Sequence, residues 1–262
     1  VEVRGRAASD HIPLDGRNLV WRAAARVFEL AGRAPERATL RLDISAPLAR
    51  GLGSSASAIV GGMTAANELL GRPLSPDDLL REMVAMEGHP DNVVPCARGG
   101  LTASLALADG RVLYLKQSPH RSVRCVVFIP DYELSTAKAR QAIPKSLPIK
   151  DAVFNLGRVP FVLAKLAAGD FRDLGGVMDD RLHQPYRKPL IRSYDLLASQ
   201  AEQAGAAAVC ISGAGPTVLA VSSEEKAGHV AQAMREVMQA AELPGEVAVL
   251  EPDLDGAVVL AD

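Results

Sequence analysis

Two groups of small and polar residues in this sequence are spaced so as to do chemistry. The first is Pro47-Leu-Ala-Arg-Gly-Leu-Gly-Ser-Ser-Ala-Ser57. Gly51 and Gly53 let the backbone turn where a side chain would clash, and Ser54, Ser55 and Ser57 bring hydroxyls to the start of an apolar, helix-forming run. Free N–H groups at a helix start, together with the positive end of the helix dipole, attract a polyanion without any formal charge. The chemistry is therefore that of a phosphate cradle. It is not a Walker A loop, which needs a Lys before the Ser/Thr. Nor is it a full Rossmann fingerprint, because Ala56 stands where the third glycine belongs, although a variant ending in Ala exists. The same residues would also make a plain glycine-softened turn with a serine as N-cap.

The second group is Glu87-Gly-His-Pro-Asp-Asn-Val-Val-Pro95. It gathers a carboxylate able to ligate a metal, a titratable imidazole at His89, and the Asp91 carboxylate beside the Asn92 amide. Polar side chains on a Gly/Pro-bent loop are commonly functional, while the plainer alternative makes Asp91 or Asn92 the N-cap of a short helix. Further along, Ser135-Thr-Ala-Lys-Ala-Arg140 opens a helix carrying Lys138 and Arg140. Asp180-Arg-Leu-His-Gln-Pro-Tyr-Arg-Lys-Pro189 is a basic connector that by default is solvated, and Gly213-Ala-Gly-Pro216 is a second glycine turn where backbone could approach a ligand.

The elements that must position these groups follow from periodicity. Val1 to Arg6 reads as a short strand. Val20, Ala24, Val27, Phe28 and Ala31 recur at helical spacing after Asn18, and Gly32 stops the helix. Leu40, Leu42 and Ile44 alternate with polar residues, so a half-buried strand delivers the chain to Pro47. Ser54 to Leu70 predicts a buried helix whose internal Gly61 and Gly62 imply close backbone contact with a neighbour. Ser75-Pro76-Asp77-Asp78 starts a helix running to about Met86. Leu101 to Leu107 and Arg111 to Lys116 predict two strands joined at Asp109-Gly110. Beyond a boundary near 118 to 122, Val123 to Ile129 predicts a continuous apolar strand that opens a second domain. Helices are then expected over about 151–168, 171–178 and 190–204, strands over 206–212 and 217–222, a helix over 224–241 and a strand over 247–250. That order suits an α+β sandwich of ferredoxin-like type, with one domain over 1–120 and the other over 121–262.

Composition narrows the function classes. The 262 residues, 48% hydrophobic and 23% charged, can bury a substantial core. A net charge of -2 gives no electrostatic case for nucleic acid or an anionic membrane, so small anions must be held locally. The three cysteines, Cys96, Cys125 and Cys210, form no CxxC pair and argue for a reducing compartment. No apolar run approaches a membrane helix and no signal peptide is visible, so the cytoplasm is expected.

The loop Pro47 to Ala56 resembles the Pro-x(3)-Gly-Leu-Gly-Ser-Ser-Ala phosphate loop of the GHMP small-molecule kinases. Glu87-Gly-His-Pro-Asp-Asn-Val-Val-Pro95, Phe128-Ile-Pro-Asp with Ser135 to Arg140, and Gly213-Ala-Gly-Pro-Thr217 resemble the homoserine kinases within that superfamily. The resemblance implies a two-domain GHMP kinase fold of the α+β class, a ribosomal-protein-S5-like N-terminal ATP-binding domain and a ferredoxin-like C-terminal domain, with ATP and acceptor between them. It implies transfer of a phosphoryl group from ATP to the hydroxyl of L-homoserine, with Mg²⁺ as cofactor. Carried over, Pro47, Arg50, Gly51, Leu52, Gly53, Ser54, Ser55, Ala56 and Ser57 would hold the triphosphate and Asn18 would lie near the base. Ser55 and Glu87 would hold the metal. His89, Asp91 and Asn92 would face the homoserine, with Asp91 and Asn92 orienting its hydroxyl, while Thr136, Arg140 and Arg187 would meet its other end and Gly213 and Gly215 would back the pocket. The implied partners are small molecules, with no nucleic acid and no membrane, and a homodimer is left open.

Two paired arginines would suit the carboxylate of either an amino acid or shikimate, so another GHMP kinase of mevalonate or shikimate type stays open on residue chemistry alone. The loop from Glu87 to Asp91 is shorter than in some relatives. Relatives also open on an Asn-Leu-Gly-Pro-Gly-Phe-Asp segment, and Val1 begins in mid-strand after its position. Either the sequence omits a disordered or deleted N-terminus, or the chain is a weakened kinase or a non-catalytic nucleotide- or metabolite-binding protein.

Overall fold

The computed structural model describes residues 1–5, 12–35 and 38–260, with the side chain of Thr136 outside the description. Arg6, the expected end of the first strand, also lies outside the described residues. The chain divides into two compact units: Val1–Pro47, Gly53–Lys116 and Asp253–Asp262 form the first, and Leu48–Leu52 with Gln117–Pro252 the second.

In the first unit, strand β1 (Glu2–Arg4), helix α1 (Leu19–Leu30), strand β2 (Arg41–Asp43), helices α2 (Ser54–Leu69), α3 (Pro76–Glu87) and α4 (Pro90–Arg98), and strands β3 (Leu101–Ala106) and β4 (Val112–Gln117) succeed one another in order. β1 and β2 pair in parallel with Val3 opposite Leu42, and β3 pairs with β4 across a turn in which Gly110 takes a positive φ. The core is helical: Ala23 and Val27 of α1, Ile59, Val60 and Met63 of α2, Leu80 and Met83 of α3, and Val93 and Val94 of α4 are all buried together. Of the two glycines inside α2, only Gly62 answers to close contact. A Cβ there would lie 2.4 Å from the Val20 carbonyl oxygen and 3.0 Å from the Ala23 side chain, whereas a Cβ on exposed Gly61 would meet nothing within 4 Å. Residues from 253 onward return to this unit, where Gly100 N–H donates to the Asp253 carbonyl and the Lys116 ammonium to the Leu254 carbonyl.

The second unit runs β5 (Val123–Pro130), α5 (Thr136–Gln141), α6 (Ile149–Leu156), α7 (Val159–Ala168), α8 (Leu174–Val177), α9 (Gln184–Arg187), a 3₁₀ turn at Lys188–Leu190, α10 (Tyr194–Gln203), β6 (Ala208–Ile211), β7 (Val218–Ser223), α11 (Glu224–Ala240) and β8 (Gly245–Leu250). The sheet order is β6-β7-β5-β8 with every neighbour antiparallel. Two strand–helix–strand halves interleaved in this way are the ferredoxin-like sandwich expected from the element order. Val126 and Phe128 of β5, Val218 of β7, Leu197 of α10 and Val230 and Met234 of α11 fill one side of the sheet, and Val123, Leu174, Ala208 and Val221 gather in a smaller cluster.

Two expected elements change. The single helix over 151–168 is broken into α6 and α7: Gly157 closes the first, and Pro160, which has no N–H to give, sits in the opening turn of the second. The 190–204 helix begins only at Tyr194, after the 3₁₀ turn.

The paired glycines of α2 separate propensity from packing. Gly61→Ala should stabilise the protein by about 0.5–1 kcal/mol through helix propensity. Gly62→Ala should destabilise it by about 1–3 kcal/mol through overpacking against α1. Urea midpoints for the two variants check both signs.

Candidate functional site

On the first unit, the start of α2 is bare. Its N-cap is Gly53, at φ +72°, and no side chain caps it, whereas Asn18, Ser75 and Ser135 cap α1, α3 and α5 with their side chains. The reading of this turn with a serine cap is thereby set aside, because Ser54 and Ser55 lie inside the first helical turn. The first intrahelical bond runs from Ser57 N–H to the Gly53 carbonyl at 3.0 Å. The N–H groups of Ser54, Ser55 and Ala56 are thus those that a helix cannot pair for itself. Ala56 faces its methyl into the core, so only its backbone can serve a ligand, and the Ser57 hydroxyl is turned back onto the Ser54 carbonyl at 2.9 Å.

The Ser55 hydroxyl meets the carboxylate of Glu87, at 2.6 and 2.5 Å from its two oxygens. Glu87 is the last residue of α3, and Gly88 stops that helix in the left-handed region. The residues after Gly88 are mostly helix rather than loop. His89 is the N-cap of α4, and Asp91 and Asn92 lie in its first turn instead of capping it. This start is also without a side-chain cap. The carboxylate of Asp91 accepts from the Nδ1–H of His89 at 2.5 Å, which leaves imidazole Nε2 and the second Asp91 oxygen without a hydrogen-bond partner among the described residues. The two helix starts are neighbours: a Cβ on Gly53 would come within 4.0 Å of the Asn92 Oδ1 atom.

On the second unit, the early part of the glycine stretch is locked by the second glycine turn. A Cβ on Gly51 would lie 2.3 Å from the Ser212 carbonyl oxygen and 2.9 Å from that of Gly215, so no side chain fits. The Ser212 hydroxyl donates to the Gly51 carbonyl at 2.8 Å, and the Thr217 N–H to the Arg50 carbonyl at 3.2 Å. Gly213 and Gly215 both adopt positive φ in this turn.

Arg187 ends α9. Its Nε donates to the Ala139 carbonyl at 3.2 Å, and its Nη1 to the Gly213 carbonyl at 3.2 Å and to His183 Nδ1 at 3.4 Å. Burial depresses its pKa, the Asp180 carboxylate opposes that, and the charge of Arg140 adds to it. Two guanidinium groups therefore feel each other here, and that of Arg140 makes no hydrogen bond or ion pair among the described residues. The connector expected to be solvated is partly core, since Asp180 and Gln184 are buried. The Asp180 carboxylate accepts from Asn155 Nδ2 and Gln184 N–H at 2.5 Å each, from Leu182 N–H at 2.9 Å and from His183 N–H at 3.0 Å. Burial alone would raise its pKa, but these bonds hold it below the usual carboxylate range.

Other residues singled out from the sequence have different work. Asn18 is buried; its amide oxygen caps α1 through Val20 and Trp21 N–H, and its NH₂ donates to the Pro13 carbonyl. The Arg50 guanidinium is engaged by the Asp131 carbonyl and by Glu133, 3.6 Å away. Pro47 has no N–H to offer, and Leu52 lies between the two glycines. Thr136 opens α5, but its side chain lies outside the described residues. Ser212, Asp180, His183 and Gln184 carried no role in the sequence reading. The i, i+3, i+7 spacing of Asp180, His183 and Arg187 was the available signal.

Comparison with known proteins accords with this geometry. Residues 18–100 match the GHMP kinases N terminal domain, and residues 162–240 the GHMP kinases C terminal domain. The chain is 46% identical over 242 residues to a homoserine kinase of Synechococcus sp. (strain CC9605), covering 92% of this chain and 76% of the relative. It is 43% identical over 260 residues to a homoserine kinase of Carboxydothermus hydrogenoformans, covering 99% and 84%. The crystal structure of a homoserine kinase from Cytophaga hutchinsonii superposes with a TM-score of 0.84 at 30% identity, covering 97% of this chain and 82% of that one.

Acid sensitivity arises from the Arg187 cluster. Burial, assisted by Arg187 and opposed by Asp180, depresses the pKa of His183 below its ordinary 6.5, so the unfolded chain binds that proton more readily than the folded one. Stability must then fall as pH drops through about 6.5, and fall again below the ordinary aspartate value of 3.8, where the unfolded chain takes up a proton that the bonded Asp180 of the folded chain still resists. Urea midpoints measured from pH 8 to pH 5 should decline for the wild type and flatten in His183→Gln.

Proposed function

The chain belongs to the homoserine kinases of the GHMP kinase superfamily, and on that premise we propose that it transfers the γ-phosphoryl group of ATP to the hydroxyl of L-homoserine, yielding O-phospho-L-homoserine for threonine biosynthesis. The single observation that carries the reading is the Ser55 hydroxyl on the Glu87 carboxylate at the uncapped start of α2. There, unpaired backbone N–H groups suit phosphate oxygens, and two hard oxygen donors suit a small cation that keeps most of its coordination for phosphate and water. Ser55 and Glu87 would hold Mg²⁺. When bound, that ion neutralises charge on the β- and γ-phosphates.

The rest is positioning and charge compensation, because phosphoryl transfer passes through a loose transition state that asks little covalent help of the protein. The N–H groups of Ser54, Ser55 and Ala56 receive the phosphates, and Gly51, Leu52 and Gly53 shape the turn that leads to them. His89 orients Asp91 through its Nδ1–H, leaving the free Asp91 oxygen and the Asn92 amide to direct the acceptor hydroxyl. Arg140 and Arg187, with Thr136, hold the acceptor carboxylate. The glycine turn at Gly213 and Gly215, packed against Gly51, Ile191 and Ile211, backs the substrate. Asn18, Arg50 and Ser57 serve the fold through the bonds described above.

Phosphorus NMR of the protein with ATP, Mg²⁺ and L-homoserine should give a phosphomonoester signal, and shikimate or mevalonate in its place should give none. No product from homoserine would overturn the reading. Glu87→Gln should raise the Mg²⁺ concentration needed for half-maximal rate roughly tenfold, equivalent to about 1.4 kcal/mol. Asp91→Asn should raise the homoserine KM by a larger factor than it lowers kcat; abolished turnover at unchanged KM would instead make Asp91 a general base.

A further inference from the structure

The segment carrying Arg187 holds buried polar groups that phosphoryl transfer does not itself use. We infer that Asp180 and His183 are positioning residues for Arg187, which through it set the affinity for the acceptor carboxylate; this rests on the assignment of Arg187 to that carboxylate.

Asp180 and His183 lie in the bend that leads into α9, and Arg187 ends that short helix. His183 Nδ1 lies 3.4 Å from Arg187 Nη1, and His183 Nε2 lies 3.4 Å from Asp180 Oδ2. These partners fix the tautomer. A guanidinium only donates, so Nδ1 accepts and the neutral imidazole carries its proton on Nε2, on the side of the Asp180 carboxylate. The imidazole thus stands between a carboxylate and a guanidinium.

Asp180 is itself immobile. Its carboxylate binds three successive backbone N–H groups, from Leu182 to Gln184, and the Asn155 amide. Gln184 extends the anchorage, because its buried amide oxygen accepts the Ile211 N–H at 2.9 Å and so ties α9 to β6. Arg187 then has Nε committed to Ala139 and Nη1 to Gly213 and His183, and Nη2 without a hydrogen-bond partner among the described residues. One edge of the guanidinium is therefore presented in a fixed direction beside the charge of Arg140. Asp180 compensates Arg187 from behind without pairing with it directly, which keeps that edge open for an incoming anion. A direct ion pair would have occupied it.

Steady-state kinetics on the full chain test this. His183→Phe should raise the homoserine KM roughly tenfold, the lower end of what losing a hydrogen bond to a charged group costs, with kcat and the MgATP KM within about twofold of wild type. His183→Asn should recover most of the loss, because its amide oxygen can take the place of Nδ1 as the acceptor for Arg187. In an Arg187→Ala background, His183→Phe should add nothing, since the two residues act through one interaction. The inference is overturned if His183→Phe raises the homoserine KM by the same factor with and without Arg187. It is also overturned if that variant lowers kcat and weakens both substrates together, as a purely structural role would. An active wild-type enzyme with either pattern leaves the kinase reading intact. A wild type inert toward homoserine removes both.

Discussion

A helix cannot pair its own first N–H groups, and the site depends on that constraint. At α1, α3 and α5 the shortfall is met locally by Asn18, Ser75 and Ser135. At α2 and α4, as at α6 to α11, no side chain meets it, and what sets these two starts apart is that they lie side by side on one unit. Gly53 at the N-cap is the enabling choice: it takes the left-handed φ without strain and carries no side chain that could fold back over the N–H groups. The serines after it are free to act outward, as Ser55 does toward Glu87.

Charge is handled locally as well. The chain as a whole is slightly acidic, with a net charge of -2, so attraction for anions must come from particular arrangements of groups. On the first unit it comes from backbone dipoles, which cost no desolvation of a formal charge. On the second it comes from two guanidinium groups: burial depresses the pKa of Arg187 and the charge of Arg140 adds to that, while the buried carboxylate of Asp180 limits it. Burial of Asp180 is tolerable because its oxygens are saturated by N–H donors.

Glycine supplies the tolerances that both arrangements need, though not uniformly. Gly51 is excluded from bearing a side chain by the Ser212 and Gly215 carbonyls, and Gly62 by the Val20 carbonyl, yet Gly61, its chain neighbour, has open space around it. The sequence pattern treats the adjacent pair alike. Only the direction in which each Cα faces separates them, and that depends on how α1 crosses α2.

Residue order alone determined a good deal. Periodicity and local turn chemistry were enough for the strands of the ferredoxin-like half, for the cap at Ser75 and for the α+β class, because these rest on contacts within a few residues of one another. The glycine–serine stretch identified a phosphate cradle by its lack of a Walker lysine, and its family came from the motif. Tertiary structure decided what sequence distance conceals. Ser55 and Glu87 are far apart in the chain, and only the antiparallel return of α3 brings the carboxylate to the hydroxyl. Arg50, with the look of a phosphate ligand, is turned to Asp131 and Glu133, and Asn18 is consumed as a cap. The connector at 180–189 reads as solvated because polar residues usually are; its burial was set by Asn155 and Ile211, distant partners that satisfy Asp180 and Gln184. A hydrogen-bonding group declares its type in the sequence, but its partner, and therefore its role, is chosen by the packing.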